Sequence, residues 1–200
     1  MTSREEAIAA WGAASSLADL GELTAQWLGG RLPYIPSSWA EGPDPETKAL
    51  IGTLAAFNRA GFVTYDSQPG EPPQGGWAQR ACVHGFCAEE TGETLAFACL
   101  ANELMCLVSW PGAREGPFVS VTIDDGRAFT WQGVPIDPEQ ISHEWGEACS
   151  PQAVTALVSA WQVAVIDPVW GRNDLLWTTL ETALAGRPTA GALPPLEGED

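Results

Sequence analysis

Lysine is almost missing from this chain. Lys48 stands beside eight arginines, and 26 aspartates and glutamates bring the formal net charge to -17. Attraction to nucleic-acid phosphates needs clustered Lys and Arg, so that class of partner is excluded. Long apolar runs are absent too, and no window approaches the roughly 20 apolar residues of a membrane span. The N-terminal stretch MTSREEAIAAWG lacks both the basic region and the apolar run of a secretory leader. Five cysteines, an odd number spread over regular elements, do not make a disulfide frame. Reduced thiols and a cytoplasmic compartment are expected. No GxSxG, Walker loop, GxGxxG or HExxH is present, so hydrolase, nucleotide-binding and zinc-protease labels have no motif behind them. Neither an internal repeat nor a domain linker is visible.

What is present is enough for one core. A chain of 200 residues buries roughly 70% of its unfolded surface without help from metal or disulfide. Ten tryptophans are several times the ordinary number, and they serve either as core packing or as a stacking pocket. The acidic surface has two readings, simple solubility or a negative face that covers a basic protein.

Local signals place the elements. Ser3 with Glu6 reads as a capping box for a helix to about Ala14, and a second helix runs from Ser16 to the stop at Gly29-Gly30. The proline-broken stretch RLPYIPSSWAEGP follows, with Tyr34 and Trp39 expected to pack onto the domain. Asp44-Pro45 opens a third helix that ends at Gly61, where a strand Phe62 to Asp66 begins at once. The run Ser67 to Gly76 reads as a functional loop. Trp77 to Cys87 alternates as a strand, Thr91 caps a helix to Asn102, and Leu104 to Trp110 is a third strand, an order that favours a right-handed crossover between parallel strands.

Asp125-Gly126 marks a hairpin between Val119 and Trp131, with Asp124 opposite Arg127. Asp137-Pro138 and Ser150-Pro151 start two short helices, and Trp161 to Asp167 is the last strand. A final helix from about Asn173 ends at Gly186-Arg187-Pro188, before an acidic, loosely held tail, 186–200. These elements predict a single α+β domain over residues 1–185: about six strands in a mixed sheet, packed helices and an N-terminal helical layer.

Three groups of side chains could carry chemistry. Cys82, His84 and Cys87 look like a metal fragment, but strand alternation points Cys87 away from the other two, so no metal is assigned. His84 either packs or, with Arg80, touches a ligand. Cys149 before a helix N-terminus, with His143 nearby in sequence, suggests a thiolate and base if the two meet. Asp66, Ser67 and Gln68 after the first strand, and Asp167, Trp170 and Arg172 after the last, share one rim if those strands run parallel, because ligands of open sheets gather beyond strand carboxyl ends.

The segments FNRAGFVTYDSQPG, GWAQRACVHGFC and DPVWGRNDLLWTTLETAL resemble an uncharacterised domain family of actinobacteria, from about Leu20 to Leu184. The excess of arginine over lysine and the abundance of Ala and Gly suit a GC-rich genome of that kind. The resemblance implies no activity, cofactor or site residue. The leading expectation is therefore a cytoplasmic binding domain that holds a small polar ligand or peptide near Asp66-Gln68 and Asp167-Arg172. Alternatives are an acidic interaction or inhibitor module for a basic protein, and an enzyme using Asp66 or Cys149 with His143.

Overall fold

Caps set the N-terminal helices. In the computed structural model, which describes residues 2–185, α1 (Arg4–Ala13) starts on a reciprocal capping box: the Glu6 amide donates to Ser3 Oγ at 3.2 Å and the Ser3 amide donates to Glu6 Oε2 at 2.7 Å. Ser16 caps α2 (Leu17–Leu28) through its hydroxyl alone, which accepts from the Asp19 amide at 3.1 Å. The expected third helix is divided. A 3-10 turn, Pro45–Leu50, precedes α3 (Ile51–Arg59), and the Asp44 side chain caps nothing. At the C-terminal end the chain leaves through Gly61 at φ +89°, a conformation glycine adopts without strain, and enters β1 (Phe62–Gln68).

The sheet differs from expectation. The remaining elements are β2 (Glu71–Gln74), β3 (Trp77–Gln79), β4 (Cys82–Cys87), α4 (Glu89–Ala101), β5 (Met105–Ser109), β6 (Val119–Asp124), β7 (Arg127–Gln132), α5 (Pro138–Gly146), α6 (Pro151–Val158), β8 (Trp161–Ile166) and α7 (Leu175–Leu184). In place of one mixed sheet of about six strands there are two four-stranded antiparallel sheets, ordered β1-β4-β8-β5 and β2-β3-β6-β7. The alternating run Trp77 to Cys87 is two strands, because the chain changes sheets at Arg80-Ala81: β3 pairs with β6, and β4 with β1 and β8. Part of the expected loop, meanwhile, is β2. Since β4 and β5 both oppose β8, they run parallel to each other as the crossover pattern implies, with β8 inserted between them.

Other boundaries move slightly. Ala88, not Thr91, is the N-cap of α4, and α7 starts after Asp174. The expected helix stop at Gly186-Arg187-Pro188 and the acidic tail lie outside the described residues.

Burial holds the α+β domain together. One face of the first sheet sets Phe62, Val83, Val163 and Val165 against Leu54, Phe57, Leu95 and Leu180 of α3, α4 and α7. The opposite face sets Val63 and Phe86 against Trp11, Ile141, Trp145 and Leu157 of α1, α5 and α6. Cys82, Ile166 and Val121 form a small third cluster joining the sheets. Tryptophan divides between roles: Trp11 and Trp145 meet edge-to-face in the core at 6.0 Å, whereas Trp39, Trp110 and Trp131 are exposed. Among the described residues no helix is long and apolar enough to cross a membrane.

Candidate binding cleft

The first sheet ends at β1, so one side of that strand has no strand partner. Asn58, buried at the end of α3, ties down its start: Asn58 Nδ2 donates to Leu54 O at 2.8 Å and to Thr64 Oγ1 at 2.7 Å, and the Thr64 amide donates to Asn58 Oδ1 at 3.0 Å. Immediately afterwards the register slips. Thr64 pairs with Gly85 and Asp66 with His84, leaving Tyr65 as an extra residue, a bulge of the kind that re-aims neighbouring side chains at sheet edges.

Thr64, Tyr65, Asp66 and Ser67 line one side of a cavity of about 160 Å³. Its other side is the proline-broken stretch and the turn after it, through Ile35, Ser37, Ser38, Asp44 and Thr47, over an apolar floor of Trp27, Leu28 and Leu54. That second wall is pinned: Trp27 Nε1 donates to Ala40 O at 3.0 Å, Trp39 stacks on Tyr34 at 4.9 Å, and the Arg4 guanidinium lies 5.4 Å from the Tyr34 ring centre. Trp39 itself is held at φ 55°, in the left-handed region where tryptophan is strained.

The cleft is acidic. Asp66 is exposed at its own surface, yet the concave protein around it limits its hydration. That loss raises its carboxyl pKa; a hydrogen bond from Gln132 opposes the rise and the Asp44 charge adds to it. Glu46 is raised as well, by desolvation and then by the fields of Glu71, Asp44 and Asp66. Beside them Tyr65 donates to Glu144 at 3.0 Å, and burial together with that carboxylate drives the phenol far above its ordinary range.

The expected rim forms, but it is shut. Because β1 and β8 both oppose β4, they run parallel and their carboxyl ends reach the same lip. There the backbones touch: a Cβ on Gly70 would lie 2.4 Å from Arg172 O, and one on Gly171 would lie 2.4 Å from Pro72 Cα. The polar groups act as a clamp between the sheets. Gln68 donates to Arg80 O at 2.9 Å and Val121 O at 3.1 Å. Arg80 donates to Ser120 O at 2.8 Å and Pro168 O at 3.2 Å and stacks on Trp170 at 4.1 Å. Asp167, wholly buried, accepts from the Val169 amide at 2.9 Å and from Arg172 Nε at 2.6 Å.

Thus Asp66 and Ser67 line the cavity, while Gln68, Arg80, Asp167, Trp170 and Arg172 brace the fold. His84 is buried with its ring edge-on to Tyr65 at 6.2 Å, and Arg80 is spoken for elsewhere. The Cys149 and His143 pair, conditional on the two meeting, finds little support: Cys149 is buried, which pushes its thiol up to about 12, and His143 is exposed on α5. Among the described residues no three His, Cys, Asp or Glu side chains lie close enough to hold a metal ion. The proline-broken wall is what sequence reasoning missed, although its length without regular structure was the signal.

The chain belongs to DUF6919, a domain of unknown function. The family model spans residues 6–187, so it includes both walls of the cleft and the clamp. Two plant proteins share part of this DUF6919 chain. Methylenetetrahydrofolate reductase (NADH) 1 of Zea mays is 28% identical over 145 residues, which is 64% of this chain and 24% of the maize protein. A probable methylenetetrahydrofolate reductase (NADH) of Oryza sativa subsp. japonica is 28% identical over 133 residues, 60% of this chain and 22% of the rice protein. The chain therefore spans about a quarter of the length of these curated relatives.

Proposed function

We propose that this DUF6919 protein is a binding module whose site is the cleft along the free edge of β1. One observation carries the reading: hydroxyls and carboxylates of two separate segments, Thr64 to Ser67 and Ser37 to Thr47, converge on a recess with an apolar floor. Such a recess suits a small polar ligand, with the apolar wall supplying burial and the few polar groups supplying orientation. The rim at Asp167 and Arg172, offered by the sequence as a second half of the site, supports it only as bracing. Five free cysteines, all buried or half-buried, suit a cytoplasmic setting, and the actinobacterial origin that the resemblance implies belongs to the same reading.

The plant relatives widen the ligand panel. Each is named for a reductase acting with NADH, but the shared part is about a quarter of its length, so the reading carries over binding alone and no reaction. A thermal-shift screen over amines, sugars, short peptides, folates and NADH tests it, run on the native chain and on Ser38→Trp. Ser38 lines the cleft and is exposed, so the larger ring fills the recess without entering the core. A stabilising ligand whose effect disappears in Ser38→Trp supports the site; one that stabilises both proteins equally places it elsewhere.

A further inference from the structure

The cleft holds more negative charge than its own fold neutralises. Asp44 stands on one wall and Asp66 on the other, and no lysine or arginine shares the lining. Neither carboxylate has an ion-pair partner among the described residues, where Arg31, Arg59, Arg114 and Arg172 pair with Glu22, Asp137, Glu139 and Asp167 instead. Glu46 and Glu71 add to the same field, and each carboxylate drawn toward another disfavours ionisation. An anion entering this recess meets repulsion from every charged wall. Among the described residues a metal ion finds no cluster of three ligands close enough to chelate it. Among charged ligands, the chemistry that remains is a diffuse positive charge carried by an organic group.

Size and lining narrow the class further. A cavity of about 160 Å³ matches one that takes a benzene-sized molecule, on the order of six heavy atoms. Trp27, Leu28, Ile35 and Leu54 give an apolar wall for a methylene stem, and the hydroxyls of Ser37, Ser38, Thr47 and Ser67 can accept from a polyprotic head. We propose that the cleft takes an organic cation, a primary ammonium or guanidinium group on a short aliphatic stem. This rests on the cleft reading above. The cation comes either from a free amine or from a Lys or Arg side chain whose backbone lies along the unpaired side of β1.

Isothermal titration calorimetry on the full chain separates these cases. The probes are n-butylamine, 1,4-diaminobutane and arginine as free cations, a blocked peptide carrying one lysine as the side-chain source, and inorganic phosphate and NADH as anions. The proteins are the native chain, Asp44→Asn, Asp66→Asn and Ser38→Trp. Asp44 and Asp66 are exposed, so both amides are compatible with the native fold. A cation is expected to bind, about tenfold more weakly in each Asn variant and more weakly again at high salt, while phosphate and NADH stay unbound. Peptide binding tighter than any free amine identifies the side-chain source; the reverse identifies a free metabolite.

Failures are distinguishable. Binding abolished by Ser38→Trp but untouched by either Asn substitution keeps the cleft and overturns the cation. A probe indifferent to Ser38→Trp overturns the cleft itself. Absence of binding by every cation, or tighter binding of phosphate, overturns the proposal.

Discussion

At the residue scale, His84 is a group whose charge state differs between the folded and the unfolded chain. Burial lowers its pKa from the ordinary 6.5 to about 4. Between those values the unfolded chain holds a proton that the folded chain does not, so acidification favours unfolding across that window. The stability supplied by a neutral His84 is complete above about pH 6.5 and falls by roughly 3 kcal/mol by about pH 4. Asp66 and Glu46 act oppositely, since their raised carboxyl pKa values make the folded state take up protons first. His84→Asn removes only the imidazole contribution. Urea melts across that range should show native stability dropping relative to His84→Asn, and parallel profiles would refute the assignment.

The same scale decides which thiols react. Alkylation needs thiolate, and a Cys149 pKa near 12 leaves almost none at neutral pH. Cys106 is half-buried and its pKa is lowered by a hydrogen bond from the Cys99 thiol. Limited iodoacetamide treatment followed by peptide mass spectrometry should label Cys106 first and leave Cys149 unmodified until denaturant is added. Equal early labelling would mean that the Cys149 region opens far more readily than its burial implies.

At the scale of elements, the α3-to-β1 corner depends on how closely α2 approaches it. A Cβ on Gly21 of α2 would lie 2.3 Å from Asn58 O, while one on Gly52 of α3 meets nothing within 4 Å. The first is backbone against helix, and no side-chain rotation relieves it. Gly21→Ala should cost about 3 kcal/mol by overpacking, and Gly52→Ala should gain about 0.5 to 1 kcal/mol from helix propensity. Denaturation midpoints for the pair check this. A Gly21→Ala protein as stable as Gly52→Ala would show that the two helices can part freely.

Elements are also where the sequence was most and least informative. Caps at Ser3, Ser16, Asp137 and Ser150 were readable, because each joins groups two or three residues apart. The Asp125-Gly126 hairpin was readable for the same reason, and Asp124 does pair in register with Arg127. The sheet change at Arg80-Ala81 was not, since nothing local distinguishes Gln79 paired to Thr122 from Cys82 paired to Gln68 and Ile166. Half of the cleft was visible as Asp66 and Ser67. The other half, Ser37 to Thr47, meets them only through tertiary packing, and their polar neighbours Gln68 and Arg172 carry the same chemistry in a structural role.

At the scale of the whole molecule, the two sheets are unequally held. The first is buried on both faces by large clusters, whereas the second meets it in the small cluster of Cys82, Ile166 and Val121 and leaves Phe129 58% and Trp131 50% exposed on its edge strand. Half-buried Met105, Leu107 and Val119 extend that contact, and polar groups add to it: Gln68, Arg80, and Gln132 on Asp66. Regions with few buried apolar contacts open at lower free energy than the global core, so the amides of β6 and β7 should exchange with deuterium well before those of β4 and β8. Arg80→Ala, which removes the bond to Ser120 and the stack on Trp170, should accelerate β3 and β6 while leaving β8 protected. Hydrogen-exchange mass spectrometry reads both effects directly. Protection in β6 and β7 equal to that in β4 and β8 would instead make the two sheets one cooperative unit, and a ligand at Asp66 would then have no separate sheet to loosen by competing with Gln132.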